Sequence, residues 1–140
     1  MHTLQQAIIC DLDGTLALMG DRKPFDWARV GEDTPNAPVV DLLQCYSGGR
    51  EISIFIVSGR SEECRLASER WLDRHGVPYE ELLMRPAGDY RRDSVIKQEL
   101  YDARIAGKYA VLFCLDDRQQ SVDFWRSLGL TCFQVAPGAF

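Results

Sequence analysis

AIICDLDGTLA, residues 7–17, decides how this chain folds and where its chemistry lies. Ala7, Ile8, Ile9 and Cys10 form an apolar run, and Asp11, Asp13, Gly14 and Thr15 follow at once. A short run that is apolar on both faces reads as a strand buried in a parallel sheet. Residues two apart in an extended chain share a face, so the carboxylates of Asp11 and Asp13 can converge on one small volume. Two acids so placed can divide labour: one stays ionised as nucleophile and metal ligand, while the other holds a proton to donate. The bland alternative is a strand end closed by an Asx-type turn. The full Asp-x-Asp-Gly-Thr after a hydrophobic strand favours a site.

The same layout recurs down the chain. Ile52–Val57 is a continuous apolar strand ending in Ser58-Gly59-Arg60, and Ser61 opens a helix to about His75, stopped by Gly76 and Pro78. A short strand, Leu82–Met84, leads into Arg85 and a polar loop, and a helix is predicted from about Arg92 to Ile105. Tyr109–Leu115 is a strand ending in Asp116-Asp117-Arg118; a helix follows to Leu128, and Thr131–Val135 is the last strand. Residues 15–38 are irregular, with Gly20, Pro24, Gly31, Pro35 and Pro38, before Asn36 caps a helix that runs to about Tyr46. Such alternation predicts an α/β fold in three layers, with five parallel strands between helices. Right-handed crossovers then bring every strand's C-terminal end to one edge, where such folds bind ligands. Asp11, Asp13, Ser58, Arg60, Arg85, Asp116 and Asp117 all sort to that edge.

That set suits phosphate chemistry. Ser58 and Arg60 can hold phosphate oxygens, and a helix starting just after them would add backbone amides and a favourable dipole. Three or four carboxylates at one point repel one another, and the natural counterion is a hard divalent cation with oxygen ligands, best matched by Mg²⁺. The only histidines are His2 and His75, neither at the predicted edge, which argues against a histidine-rich zinc site. A fixed cation is also needed among the acids. Of the three lysines, Lys23 lies in the irregular segment and Lys108 at the wrong end of its strand. Lys97, early in a helix whose start faces the edge, is the candidate, with Asp93 four residues before it on the same helical face.

Composition bounds the rest. The chain has 140 residues, 46% hydrophobic and 26% charged, which reads as a single domain over residues 1–140 with one real core. No apolar run has the length of a membrane span, and Met1-His2-Thr3-Leu4-Gln5 lacks a signal-peptide layout. Five cysteines without a Cys-x-x-Cys read as reduced thiols in a cytoplasmic protein. The net charge of −5 argues against broad, salt-driven coating of nucleic acid, although arginine, far commoner here than lysine, suits local phosphate recognition.

DLDGT, the serine of VSGR, a helix-borne lysine and LDDR resemble the four motifs of the haloacid dehalogenase (HAD) superfamily, in its phosphatase branch. The chain is more closely similar to the 3′-phosphatase domains of T-even bacteriophage polynucleotide kinase-phosphatases. That likeness runs through DGTLA-x-M, VSGR, RRD-x-V-x-K, DDR with a following tryptophan, and FQVAPGAF. The resemblance implies a Rossmann-like HAD sheet without a cap domain, covered by a short flap after the first strand. It implies Asp11 as nucleophile, Asp13 as general acid/base, and Ser58 and Lys97 on the phosphoryl group. Mg²⁺ would lie on Asp11, the Asp13 carbonyl and Asp117, supported by Asp116. Thr15, Arg22, Gly59, Arg60, Arg85 and Asp93 match substrate-binding positions, with the arginines expected at the rim of an open site.

The implied reaction is Mg²⁺-dependent removal of 3′-terminal phosphate, or opening of 2′,3′-cyclic phosphate, at DNA or RNA ends. The implied setting is cytoplasmic (host-cell cytoplasm if phage-encoded), with self-association and a kinase or ligase in the same repair pathway. No GxxxxGK[ST] is present, so a kinase half is not expected within these residues. The rival readings are a HAD phosphatase for a nucleotide or other small phosphoester, and a non-catalytic docking module in a repair complex.

Overall fold

The computed structural model describes residues 3–140; Met1 and His2 lie outside the described residues, and with them the expectation for His2. In chain order the elements are β1 (Gln5–Cys10), β2 (Ala17–Leu18), β3 (Thr34–Pro35), α1 (Ala37–Ser47), β4 (Ile52–Ser61), α2 (Arg65–Arg74), β5 (Glu81–Arg85), α3 (Asp93–Arg104), β6 (Tyr109–Asp116), α4 (Gln119–Ser127) and β7 (Cys132–Gln134). Five strands make one sheet in the order β5-β4-β1-β6-β7, every neighbouring pair parallel. The expected sheet is therefore present.

Period-two alternation splits the strand side chains between two cores. Ile8, Cys10, Ile54, Ile56, Phe113 and Leu115 pack with Val40 and Leu43 of α1 and Trp71 and Leu72 of α2. Ala7, Ile9, Phe55, Val57 and Cys114 pack on the other face with Ile105 and with Val122 and Trp125 of α4. Leu12 still points into the first core, so Asp11 is directed to the α3–α4 side. Four of the five cysteines are buried, Cys64 among them, and Cys45 is exposed. Among the described residues no helix is long and apolar enough to cross a membrane.

The end of β4 and the start of α1 differ from expectation in ways that bear on the site. β4 does not stop at Val57 but continues through Ser61; a 3₁₀ turn over Glu62–Cys64 follows, and α2 begins only at Arg65. The apolar pattern ends at Val57, although Ser58, Arg60 and Ser61 are still buried and the extended backbone continues beside β5. Asn36 occupies the cap of α1, but its side chain makes no cap hydrogen bond. Its amide instead donates to the Thr15 carbonyl at 2.9 Å, tying α1 to the loop after β1. The segment between β1 and α1 is the flap: β2 and β3 pair antiparallel, and a 3₁₀ stretch, Trp27–Glu32, lies between them.

Candidate active site

At the C-terminal ends of β1 and β6, one ammonium group gathers three acids. Lys97 Nζ lies 3.0 Å from Asp11 Oδ1, 2.9 Å from Asp116 Oδ2 and 3.2 Å from Asp93 Oδ2, and it donates to Ser121 Oγ at 3.3 Å. All five residues are buried. Burial alone would draw the Lys97 ammonium down, but Asp11, Asp116 and Asp93 together hold its pKa well above the ordinary lysine value. Burial and then the charge of Asp116 push the Asp11 carboxyl well up, against the pull of Lys97. Asp93 moves the other way: burial raises it, but Lys97 and Arg118 prevail and hold it below the ordinary range. Trp125 Nε1 donates to Asp116 Oδ2 at 3.1 Å, so a core tryptophan fixes the acid behind the lysine.

Asp11 Oδ2 accepts from Thr15 Oγ1 at 3.0 Å, and the Asp117 carboxylate stands 3.4 Å from the same hydroxyl. Asp11, Asp116 and Asp117 can each offer an oxygen, all within 4.8 Å of one another. Gly14, at φ +82°, makes this approach possible, since a Cβ there would fall 2.2 Å from Asp117 Oδ2. Burial raises the Asp117 carboxyl as well, against the hydrogen bond to Asp11 and the pull of Lys97, with the charge of Asp116 adding to the rise. Three buried carboxylates facing one ammonium suit a hard divalent cation with oxygen ligands. The Asp13 carboxylate is outside this trio.

Asp13 instead faces the flap. Its Oδ1 accepts from Arg22 Nη2 at 3.1 Å and from Arg60 Nε and Nη2 at 3.0 and 2.8 Å. Both arginines also bind Asp33 on the flap: Arg22 through Nε at 2.8 Å and Nη2 at 3.0 Å, Arg60 through Nη2 at 2.8 Å. Arg60 further donates to Ser68 of α2. Arg22 and Arg60 are buried, which corrects the expectation that both stand at the rim of the site. The pairing of β4 with β5 shifts between Ser58 and Ser61, and this irregularity brings Arg60 to Asp13 rather than along the sheet.

Ser58 is buried, and its Oγ accepts from the Arg60 amide at 3.1 Å. Because β4 continues to Ser61, no helix N-terminus follows Ser58 directly, and the expected helix dipole at this point is absent. Gly59 is required by close packing: a Cβ would sit 1.8 Å from Asp93 Oδ1. Arg85 donates through Nε to the Gly59 carbonyl at 2.8 Å and through Nη1 to the carbonyls of Asp89 and Arg91, and lies 3.5 Å from Asp93.

The sequence pattern of the polynucleotide kinase PNKP phosphatase domain, a HAD family, matches residues 5–140. The chain belongs to that family. This PNKP-type phosphatase domain is 33% identical over 133 residues to a candidate bifunctional polynucleotide kinase/RNA ligase of Autographa californica nuclear polyhedrosis virus, a match covering 93% of this chain and 19% of the viral protein. It is 44% identical, with a TM-score of 0.94, to a chain in the structure of the Pnkp1/Rnl/Hen1 RNA repair complex, covering 98% of this chain and 44% of the other. A second structure of the Pnkp1/Rnl/Hen1 complex gives 44% identity and a TM-score of 0.95, over 99% and 48% of the two chains. The HAD domain of the Legionella pneumophila effector Lem4 shares the fold alone, at 14% identity and a TM-score of 0.56. The chain thus spans less than half the length of the relatives it matches at higher identity.

Sequence reasoning about this PNKP-type domain missed Asp33. It lies in a segment without periodicity, and only its partners reveal it. No signal in the sequence marks it: Asp33 stands between Glu32 and Thr34, with no basic residue beside it. The Asp33 carbonyl also accepts from Trp71 Nε1 at 2.8 Å, so the flap is pinned to α2 through this carbonyl and to Arg60 of β4 through the Asp33 side chain. Asp33→Ala would leave two buried guanidinium groups short of a counterion. The expected cost is about 3–5 kcal/mol of folding stability, checked by urea denaturation. Asp33→Asn, which keeps an acceptor, should cost less; an Asp33→Ala protein as stable as the parent would contradict the role of this cluster.

Proposed function

We propose that residues 1–140 form a single phosphatase domain that removes 3′-terminal phosphate from nucleic-acid ends through an aspartyl-phosphate on Asp11. The observation that carries the reading is the setting of Asp11, with one oxygen on buried Lys97, the other on Thr15, and two further carboxylates beside it. Membership of the PNKP phosphatase family and similarity to a chain of an RNA repair complex support a phosphatase that serves nucleic-acid repair.

In the proposed sequence an Asp11 oxygen attacks phosphorus, the bond to the 3′-oxygen breaks, and Asp13 supplies the proton that the leaving oxygen needs. Asp13 then takes a proton from water as its oxygen attacks the aspartyl-phosphate. Inorganic phosphate leaves and both acids are restored. Arg22 and Arg60 hold Asp13 Oδ1, leaving Oδ2 as the oxygen that exchanges protons. Lys97 and Ser58 offset the phosphoryl charge. Asp11, the Asp13 carbonyl and Asp117 would hold Mg²⁺, with Asp116 behind them. When bound, that ion supplies Lewis-acid neutralisation of the phosphoryl oxygens.

One observation favours a second reading, a phosphatase for small phosphoesters: Arg22 and Arg60 are engaged inside the protein and less free to grip a polymer. The test measures kcat/KM for a 3′-phosphorylated oligonucleotide, the matching 3′-mononucleotide and the 5′-phosphorylated oligonucleotide. The 3′-phosphorylated polymer should be preferred over both. Equal use of all three would leave the small-phosphoester reading standing. A kinase or ligase partner is proposed for the same pathway, on the strength of the Pnkp1/Rnl/Hen1 likeness and the viral relative.

A further inference from the structure

If the substrate is a polynucleotide, something at the mouth must hold its chain, and the cations nearest the reacting centre are not available. Arg22 and Arg60 are committed to Asp13 and Asp33, and the protein carries a net charge of −5. The three most exposed aromatic rings are instead Phe25, Tyr90 and Phe140, at 82%, 94% and 61% exposure.

The backbone beside Phe25, the backbone beside Tyr90 and the ring of Phe140 are each tied by one buried or half-buried arginine to a different side of the site. Arg22, on Asp13, also donates to the carbonyls of Lys23 and Pro24, immediately before Phe25. Arg85, bound to the Gly59 carbonyl, also holds the carbonyls of Asp89 and Arg91, the two neighbours of Tyr90. Arg118 follows the acid pair, lies 3.7 Å from Asp93, and places its guanidinium 4.9 Å from the centre of the Phe140 ring. Arg118 Nε is moreover a buried donor without a hydrogen-bond partner, the one such side-chain atom among the described residues. Phe25 is steadied by an edge-to-face contact with Trp27 at 5.9 Å. Rings that served the core would be covered; these are left open, on backbone that Arg22 and Arg85 tie down beside Phe25 and Tyr90.

We propose that Phe25, Tyr90 and Phe140 form a stacking surface for the terminal bases of a single-stranded 3′ end, with Arg118 offering a donor to the nucleotide beside Phe140; this rests on the polynucleotide reading above. Stacking needs no net charge, tolerates any base because every base has a π-face, and suits an acidic protein. In a blunt duplex only the outer face of the last pair is open and every base inside it is covered on both faces, so a paired 3′ end gains little from three rings. Grip on bases remote from the phosphate can lower the barrier at the reacting centre.

The test compares the wild-type protein with Phe25→Ala, Tyr90→Ala and Phe140→Ala on three substrates: a 3′-phosphorylated single-stranded hexanucleotide, the same strand paired in a blunt duplex, and p-nitrophenyl phosphate. Each lost ring should lower the ratio of hexanucleotide to p-nitrophenyl phosphate kcat/KM by about 5- to 150-fold. Tyr90→Phe and Phe140→Tyr, which keep the rings, should restore the ratio and separate stacking from folding. With Asp11→Asn protein, 2-aminopurine as the last base should be quenched on binding, and ring removal should relieve the quenching. If the wild type hydrolyses the hexanucleotide while ring removal leaves the ratio unmoved, stacking is overturned. Equal use of the blunt duplex overturns the single-strand preference. Turnover of p-nitrophenyl phosphate without turnover of the hexanucleotide defeats the polynucleotide reading itself, a result distinct from the other two.

Discussion

Asp11→Asn should reduce phosphate release to background, because an amide oxygen is too weak a nucleophile to attack phosphorus. The fold should survive the change. Lys97 keeps Asp116 and Asp93 at 2.9 and 3.2 Å, and the asparagine can still accept from Thr15. Asp13→Asn should lose roughly 10²–10⁴ in rate by removing proton transfer, while the protein still binds substrate. The two variants separate the roles: Asp13→Asn should still be slowly phosphorylated by a substrate with a good leaving group such as p-nitrophenyl phosphate, whereas Asp11→Asn should not be labelled at all. Acid-quenched protein, resolved by mass, reports the added phosphoryl group. Turnover at the parent rate in Asp11→Asn would end the covalent mechanism.

The sheet, its parallel strands and the sorting of polar residues to one edge were legible because each strand is a short apolar run that ends in a polar cluster. The lysine was legible by elimination among three, and its partner Asp93 by helical spacing; both meet, 3.2 Å apart. What could not be read depended on contacts between distant segments. The extension of β4 through Ser61 rests on pairing with β5, because Gly59, Arg60 and Ser61 have no strand pattern of their own. Arginines look alike in a sequence whether they face water or a buried carboxylate. Arg22 and Arg60 were read as rim groups because Asp33, which neutralises them, sits in a flap with no periodicity to mark it. Trp71 and Trp125 are core residues, yet their indole N–H groups also fix Asp33 and Asp116. A tryptophan's single donor is a positional device that hydrophobic patterning does not show.

Chelation should silence the enzyme, and Mg²⁺ should restore it. Asp11, Asp116 and Asp117 offer oxygens within 4.8 Å of one another, and a phosphate dianion would add negative charge to a pocket where Lys97 is already shared by three acids. Without a further cation the substrate is repelled. The same ion should stabilise the fold, by about 2.7 kcal/mol at one hundred times its dissociation constant, read as a rise in melting temperature. The pH dependence has a definite sign. Burial and the charge of Asp116 raise the folded-state pKa values of Asp11 and Asp117, so their contribution to metal-free stability is greatest in acid and is lost as pH rises through those values. Metal binding needs both groups ionised and therefore strengthens over the same interval. The gap in melting temperature between the Mg²⁺-loaded and metal-free protein should widen from acidic to neutral pH. Asp117→Asn should close that gap, since it removes a ligand while leaving the Lys97 contacts to Asp11 and Asp116 intact. Full activity after exhaustive chelation, or a Mg²⁺-induced shift that persists unchanged in Asp117→Asn, would contradict the assignment of the acidic trio as the metal site.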